Sequence, residues 1–304
     1  MSHKIKSFIG ILFVFNIFCV SAQIPKTSGI DTLSSWKLSS LFSLSGTQSS
    51  FINWNSGGRN NISLIGNISA SALYNIDKWS WSSDISLAFG GIKYLDEGDG
   101  LNLQKTDDKI DISSIVGMRI SKKFLISINS GFKTQFADGF TYPNDSVSVS
   151  KFMAPGYLNL AIGTEYIKDA NFSIFTSPFA LKTTFVLDES LSQMGAFGVQ
   201  KGEQIRHEFG AFVKIKWNAK IMKNVEMKSK LEFFSNYLNN PENIDINGEL
   251  AFVFRVNSLF SARAQWNLVY DDDIKIRDKN GNVGPRTQFK SVLGIGISYK
   301  LDNQ

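Results

Sequence analysis

Residues 293–301 read LGIGISYKL. Leu293, Ile295, Ile297, Tyr299 and Leu301 are apolar, and Gly294, Gly296, Ser298 and Lys300 between them are small or charged. Alternation at period two marks a β-strand with one greasy face and one polar face. Two architectures use such a strand: a soluble sandwich, and a membrane barrel whose outer wall meets lipid. The rest of the chain has to choose between them.

The same alternation recurs in twelve segments after Ser35: 36–44, 62–74, 79–89, 110–120, 124–136, 158–166, 171–186, 209–217, 225–237, 244–256, 260–270 and 288–301. In 171–186 the phase flips near Pro178, which predicts a bulge there. The connections sort by parity. Those after even-numbered segments are tight (77–78, 122–123, 169–170, 222–224, 257–258), and those after odd-numbered segments are mostly long and polar (53–60, 94–109, 138–154, 188–202, 239–243, 272–287). A sandwich has no reason to sort its loops this way, whereas an outer-membrane barrel does. Many runs exceed the roughly 9–11 residues that a tilted strand needs to cross the hydrocarbon. Soluble strands usually stop near 5–6 residues, by order of magnitude about half that length.

Aromatic residues gather near the segment ends. Trp36, Trp79 and Trp81 lie by the tight turns; Phe51, Trp54, Tyr94, Tyr237 and Tyr270 lie by the long loops. Indole and phenol rings favour the headgroup layer, so these predict two girdles. An open sheet edge in lipid leaves backbone groups without partners, so the sheet must close. The sequence therefore predicts an all-β fold: a transmembrane up-and-down antiparallel β-barrel of twelve strands, with short periplasmic turns and long extracellular loops.

The chain opens MSHKIKSFIGILFVFNIFCVSAQ. A basic start, an apolar run and Val20-Ser21-Ala22 predict a signal peptide over 1–22, cut before Gln23. The run falls short of the roughly 20 residues of a spanning helix. Residues 23–35 read as a periplasmic lead, 36–301 as the barrel and 302–304 as a tail. The one cysteine, Cys19, falls in the signal, so the exported chain has no disulfide, no thiolate metal site and no cysteine nucleophile. The expected location is the outer membrane of a Gram-negative bacterium. The expected partners are outer-membrane lipid, periplasmic chaperones and the barrel-assembly machinery. The formal net charge of +5, with 32 basic and 27 acidic residues, is too mild to argue for nucleic acid. No cofactor is expected.

If the apolar faces meet lipid, the opposite faces line the lumen. The candidates are Asp84, Asp111, Arg119, Lys133, Glu208, Lys214, Lys216, Glu226, Lys228, Lys230, Glu232, Asp245, Glu249, Arg255, Arg263 and Lys290. Asn129, Gln135, Asn247, Gln265, Asn267 and Lys300 share those faces. Two readings stay open. Charged rings tune a pore, but a twelve-stranded barrel is narrow, and mixed acids and bases can pair across it and plug it. Partner binding through the long loops is a third use for such a chain.

Two clusters raise a catalytic or metal-binding question. His207 is the one histidine outside the signal, beside Arg206 and Glu208, with Ser190 and Ser192 in the adjoining loop. A Ser–His mechanism needs one of those serines within hydrogen-bond reach; a solvated side chain is the plainer reading. Asp271, Asp272 and Asp273 offer carboxylates to a divalent cation. Their spacing does not match an EF-hand, and solvated aspartates beside Lys275, Arg277 and Lys279 are the plainer expectation. The loop Asn53-Trp54-Asn55-Ser56-Gly57-Gly58-Arg59 suits a tight turn, and no helix follows it to bind phosphate.

The stretches NWNSGGRNNIS (53–63), FFSNYLNNPENIDINGEL (233–250) and LVYDDDI…GPRTQFKSVLGIGISYKL (268–274 and 284–301) carry a resemblance. With them the chain resembles the uncharacterised outer-membrane β-barrel proteins of the Bacteroidota, the domain of unknown function 3078 family, from about Trp36 to Leu301. The resemblance implies an outer-membrane barrel and assigns no activity. The chain departs from such barrels at its end, where Leu301 and then Asp302-Asn303-Gln304 stand in place of a terminal aromatic residue. The last strand, with Ile295, Ile297, Tyr299 and Leu301 facing lipid, is the expected assembly signal.

Overall fold

A computed structural model describes residues 36–50, 59–95, 103–277 and 281–302. The strands are β1 (Trp36–Ser49), β2 (Asn61–Ile76), β3 (Trp79–Tyr94), β4 (Gln104–Arg119), β5 (Phe124–Thr134), β6 (Gly139–Phe140), β7 (Ser148–Ser150) and β8 (Gly156–Asp169). They continue with β9 (Phe172–Phe185), β10 (Ile205–Met222), β11 (Val225–Asn236), β12 (Ile244–Arg255), β13 (Phe260–Tyr270), β14 (Lys275–Arg277), β15 (Val283–Pro285) and β16 (Gln288–Asp302). A short α-helix, α1 (Glu189–Gln193), and a 3-10 turn over Ala196–Gly198 lie between β9 and β10.

Twelve of these strands close into one antiparallel ring, in the order β1-β16-β13-β12-β11-β10-β9-β8-β5-β4-β3-β2. The β6–β7 and β14–β15 hairpins sit apart from it, inside two of the long loops. Every tight turn falls at one end, where β2, β4, β8, β10 and β12 finish, and the long connections fall at the other. The seam between first and last strand holds seven facing pairs, from Ser39 opposite Asp302 to Ser45 opposite Gly296. Those pairs lie in the tight-turn half. Beyond Ser45, β1 pairs with β2 alone and β16 with β13 alone.

The wall is greasy outside, as the alternation requires. Leu293 and Ile295 are each 69% exposed, and Phe42, Leu64, Trp79, Ile85, Ile128, Ile162, Phe179 and Trp217 are exposed as well. A soluble protein would bury these side chains. Here a closed ring with an apolar outer band is a transmembrane β-barrel. Among the described residues, no helix is long and apolar enough to cross a membrane. At the tight-turn end, Trp36 packs on Tyr74 at 4.9 Å and on Trp81 at 5.3 Å, forming one aromatic girdle. At the loop end, Phe209 meets Tyr237 at 6.0 Å. Phe51 and Trp54 lie outside the described residues, as do the proposed signal, the lead, residues 53–58 of the glycine-rich loop, and Lys279.

The bulge predicted at Pro178 is present. Ala180 faces Gly210 while Ser177 faces Phe212, so β9 carries an extra residue there. Ser177 Oγ donates to the Ile162 carbonyl at 2.7 Å and accepts from the Phe179 amide at 3.1 Å, which satisfies the interrupted ladder. On β8 the position opposite is Gly163, where a Cβ would overlap the Thr176 carbonyl oxygen. Only glycine fits that approach.

One boundary differs from the sequence reading. β4 begins at Gln104, whereas 94–109 reads as a loop in the sequence. The wall there rises past the greasy band, where the outer face no longer has to be apolar, so periodicity gives no signal.

Candidate functional site

Among the described residues, charged and polar side chains gather in the lumen, and β3–β5 and β8–β12 supply most of them. In the tight-turn half, Lys216 on β10 reaches Asp84 on β3 at 2.5 Å. Lys230 on β11 reaches Asp111 on β4 at 2.8 Å, and Lys109 on β4 reaches Glu249 on β12 at 2.7 Å. Strands β4 and β12 are six places apart in the ring of twelve, so this last pair runs from wall to opposite wall. Further toward the loops, Lys133 meets Glu232 at 2.5 Å and Lys290 meets Asp107 at 2.7 Å. These pairs are struts across the barrel.

Nearest the long loops lies a denser network. Lys182 Nζ stands 2.5 Å from Asp245, 2.9 Å from Asp271 and 3.4 Å from Glu208. Arg206 holds Glu208 at 2.5 Å and Asp273 at 2.7 Å. Lys182, Glu208 and Asp271 are buried. A buried charge is tolerable only when it is paired, and each of these is.

Between the struts the lumen is dry on one side. Phe175, Phe212 and Phe234 point inward and pack with Ile115, Ala161 and Ala180. The Phe175 and Phe212 rings are 6.3 Å apart, and Lys182 lies 5.4 Å above the Phe234 ring. Lys214 is buried beside them and donates to Asn129 Oδ1 at 3.2 Å. Leu125, Ser127 and Asn129, on β5 just beyond β8, are buried on the same side of the barrel. The interior is therefore packed core along part of its length, with a cavity of about 250 Å³ on the loop side, lined by Tyr157, Tyr270, Lys182 and Asp245 among others. A second cavity, of about 220 Å³, lies in the tight-turn half.

The sixteen lumen candidates fall into three groups. Asp84, Asp111, Lys133, Glu208, Lys214, Lys216, Lys230, Glu232, Asp245, Glu249 and Lys290 join the struts and networks just described. Glu226 pairs with Arg255 at 3.1 Å, and Arg119 donates to the carbonyl of Lys122 at 3.3 Å in the tight turn that follows it. Lys228 and Arg263 line the second cavity. Ile295, Ile297, Tyr299 and Leu301 are exposed on the outer face of β16.

Several residues that matter were not among the candidates. Lys182 follows the phase flip of β9, so its inward position becomes readable only when the bulge is counted. Lys109 and Asp107 fell in the stretch that read as loop. The inward phenylalanines carried no signal, because a wet lumen predicts polar residues there.

The two clusters resolve differently from their sequence readings. His207 Nδ1 lies 3.0 Å from Thr183 Oγ1. Ser192 is buried and donates to the Glu203 carbonyl at 2.8 Å, and Ser190 is exposed, so neither serine partners the imidazole. The three aspartates are not a solvated strand end. Asp271 binds Lys182, Asp273 binds Arg206, and Asp272 accepts from Asn243 Nδ2 at 2.7 Å. Asp245, Asp271 and Asp272 do converge, with carboxylate oxygens within 4.8 Å of one another. The Lys182 ammonium already stands where a cation would neutralise two of them.

Residues 47–140 match the family of proteins of unknown function DUF3078. That stretch runs from the end of β1 to β6 and begins within the family resemblance seen in the sequence. No curated protein matches the chain. Among solved structures, the chain is similar to the COG4313 outer membrane channel from Pseudomonas putida F1, at 11% identity and a TM-score of 0.39, over 88% of this chain and 96% of that one. It is also similar to the NanC porin, at 7% identity and a TM-score of 0.35, over 86% of this chain and 100% of that one. A third is the translocator domain of the autotransporter NalP from Neisseria meningitidis, at 7% identity and a TM-score of 0.31, over 87% of each chain. The barrel here is read from its own strand order and greasy outer wall.

Proposed function

We propose that this chain is an outer-membrane barrel closed to solutes at rest, a plugged structural barrel that holds its long loops outside the cell. The carrying observation is the strut set: Lys109 to Glu249, Lys230 to Asp111 and Lys216 to Asp84 span the lumen beside the Phe175–Phe212–Phe234 cluster. In this reading the tight turns face the periplasm, as in other outer-membrane barrels. The ordered loop side supports a scaffold role. Ala154, Val186, Leu191 and Val199 form a small apolar core under α1, and Lys151 reaches across to Asp188 at 2.7 Å. Loops built this way can present a fixed surface to a partner. No catalytic role is proposed.

Planar-bilayer recording of the refolded protein tests the reading. The wild type is expected to be silent. A variant with Lys109, Glu249, Lys230 and Asp111 all changed to alanine clears two struts together with both of their ends, and is expected to conduct. Steady conductance steps from the wild type would overturn the proposal.

A further inference from the structure

The tight-turn cavity holds five cationic side chains against three anionic ones, an excess of two positive charges. Each acid is already engaged: Asp84 by Lys216, Asp111 by Lys230 and Glu249 by Lys109. The two cations left over are Lys228 and Arg263. Among the described residues neither has a carboxylate partner. Arg263 spends its Nε and one terminal nitrogen on a neutral acceptor, Gln265 Oε1, at 3.1 and 2.7 Å. Lys228 is exposed to the water of the lumen.

The neighbours of these two cations are small. On β12, Ala251 faces Lys228 and Val253 faces Arg263. On β16 the partner of Arg263 is Gly294, where the small Ser45 side chain takes the place that a Cβ would need. The facing wall offers hydroxyls, since Ser69, Ser71, Ser86 and Ser113 line the same cavity. Unpaired cations on one wall and hydroxyl donors on the other suit a compact ion with several acceptor oxygens. Low-dielectric walls strengthen that attraction relative to open water.

We propose that this cavity is an oxyanion-binding site, entered from the tight-turn end, for inorganic phosphate or the phosphoryl group of a small metabolite. Lys228 and Arg263 supply the charge. The serine wall supplies the neutral donors, and the strut set forms the floor. The site lies on one side of the struts and does not require that they conduct, so this inference and the closed-barrel reading can fail separately.

Calorimetric titration of the full chain, folded in detergent micelles, with inorganic phosphate at constant ionic strength is the test. Saturable binding is expected, with chloride binding far more weakly. Changing Lys228 and Arg263 together to methionine should weaken phosphate binding by about tenfold or more, the loss of charge-assisted hydrogen bonds. Lys290→Met, beyond the struts, should leave it unchanged. Heat-modifiable gel mobility confirms that each variant is folded. If the double variant does not fold, Ala251→Glu decides instead, because it sets a carboxylate between the two cations and should abolish binding. Absence of saturable phosphate binding by the wild type overturns the site. So does chloride binding as tight as phosphate, or a folded double or Ala251→Glu variant that binds like the wild type.

Discussion

The two halves of the lumen solve the charge problem in opposite ways. Toward the loops, Lys182 and Arg206 are enclosed by four carboxylates, and the central members of that network are buried. Toward the tight turns, Lys228 and Arg263 line a cavity without a carboxylate partner of their own among the described residues, and Lys228 is exposed. Water tolerates an unpaired ammonium, and a dry interior does not. The wall differs too. The seam is zipped in the tight-turn half, while beyond Ser45 its two edge strands part company.

The largest effect should come from removing what only the tight-turn half provides. Deleting residues 294–304 takes away every β16 partner in the seam. The product is expected to be protease-sensitive chain with no heat-modifiable band; a normal closed barrel from that truncation would break the contrast and the assembly-signal reading with it. Next comes Lys182→Met, which leaves Glu208, Asp245 and Asp271 without their shared cation. Breaking a buried pair costs about 3–5 kcal/mol, to be read as a shift of the denaturant midpoint. Lys228→Met in the other half should barely move that midpoint.

A similar cost tests whether the middle of the lumen is packed core. Phe212 points inward and is 3% exposed, whereas Phe209, three residues earlier, is 40% exposed on the lipid side. Phe212→Ala should cost about 3–5 kcal/mol, as in soluble cores. Phe209→Ala should cost less, since lipid tails fill the gap. Equal costs would mean the lumen is wet throughout.

The smallest effect is a pH response outside the membrane. The Lys151 ammonium, followed by the Leu191 amide, holds the Asp188 carboxyl below its ordinary value of 3.8. A lowered value in the folded state adds stability that is present above the ordinary value and lost as pH falls through the folded one. The Leu191 amide at the start of α1 should therefore lose protection only below about pH 4. Asp188→Asn should remove that pH dependence, as followed by nuclear magnetic resonance.

Much of this was legible from one dimension of the chain. The outer face of each strand has a single neighbour, lipid, so period two reports it directly. Even the Pro178 bulge showed as a change of phase. The interior was less legible, because a lumen residue answers to whatever stands across the barrel. Nothing in the order of residues says that Lys109 will find Glu249, or that Phe175, Phe212 and Phe234 will meet. The aspartates at 271–273 illustrate this: adjacent in sequence, they take three separate partners. Residues 104–109 were lost for a different reason, since a wall standing in water has no need to alternate.

The seam has one more consequence. Strands β1 and β16 are ordinary antiparallel neighbours, and Trp36 and Asp302 both lie at the tight-turn end. A short linker between them would make one more hairpin among the others. The chain could then be reopened between Asp77 and Lys78, a circular permutant with β2 last and the original β16 internal. If such a protein still closes in vesicles, the ring itself carries the instructions for assembly; if it does not, the identity of the final strand carries them.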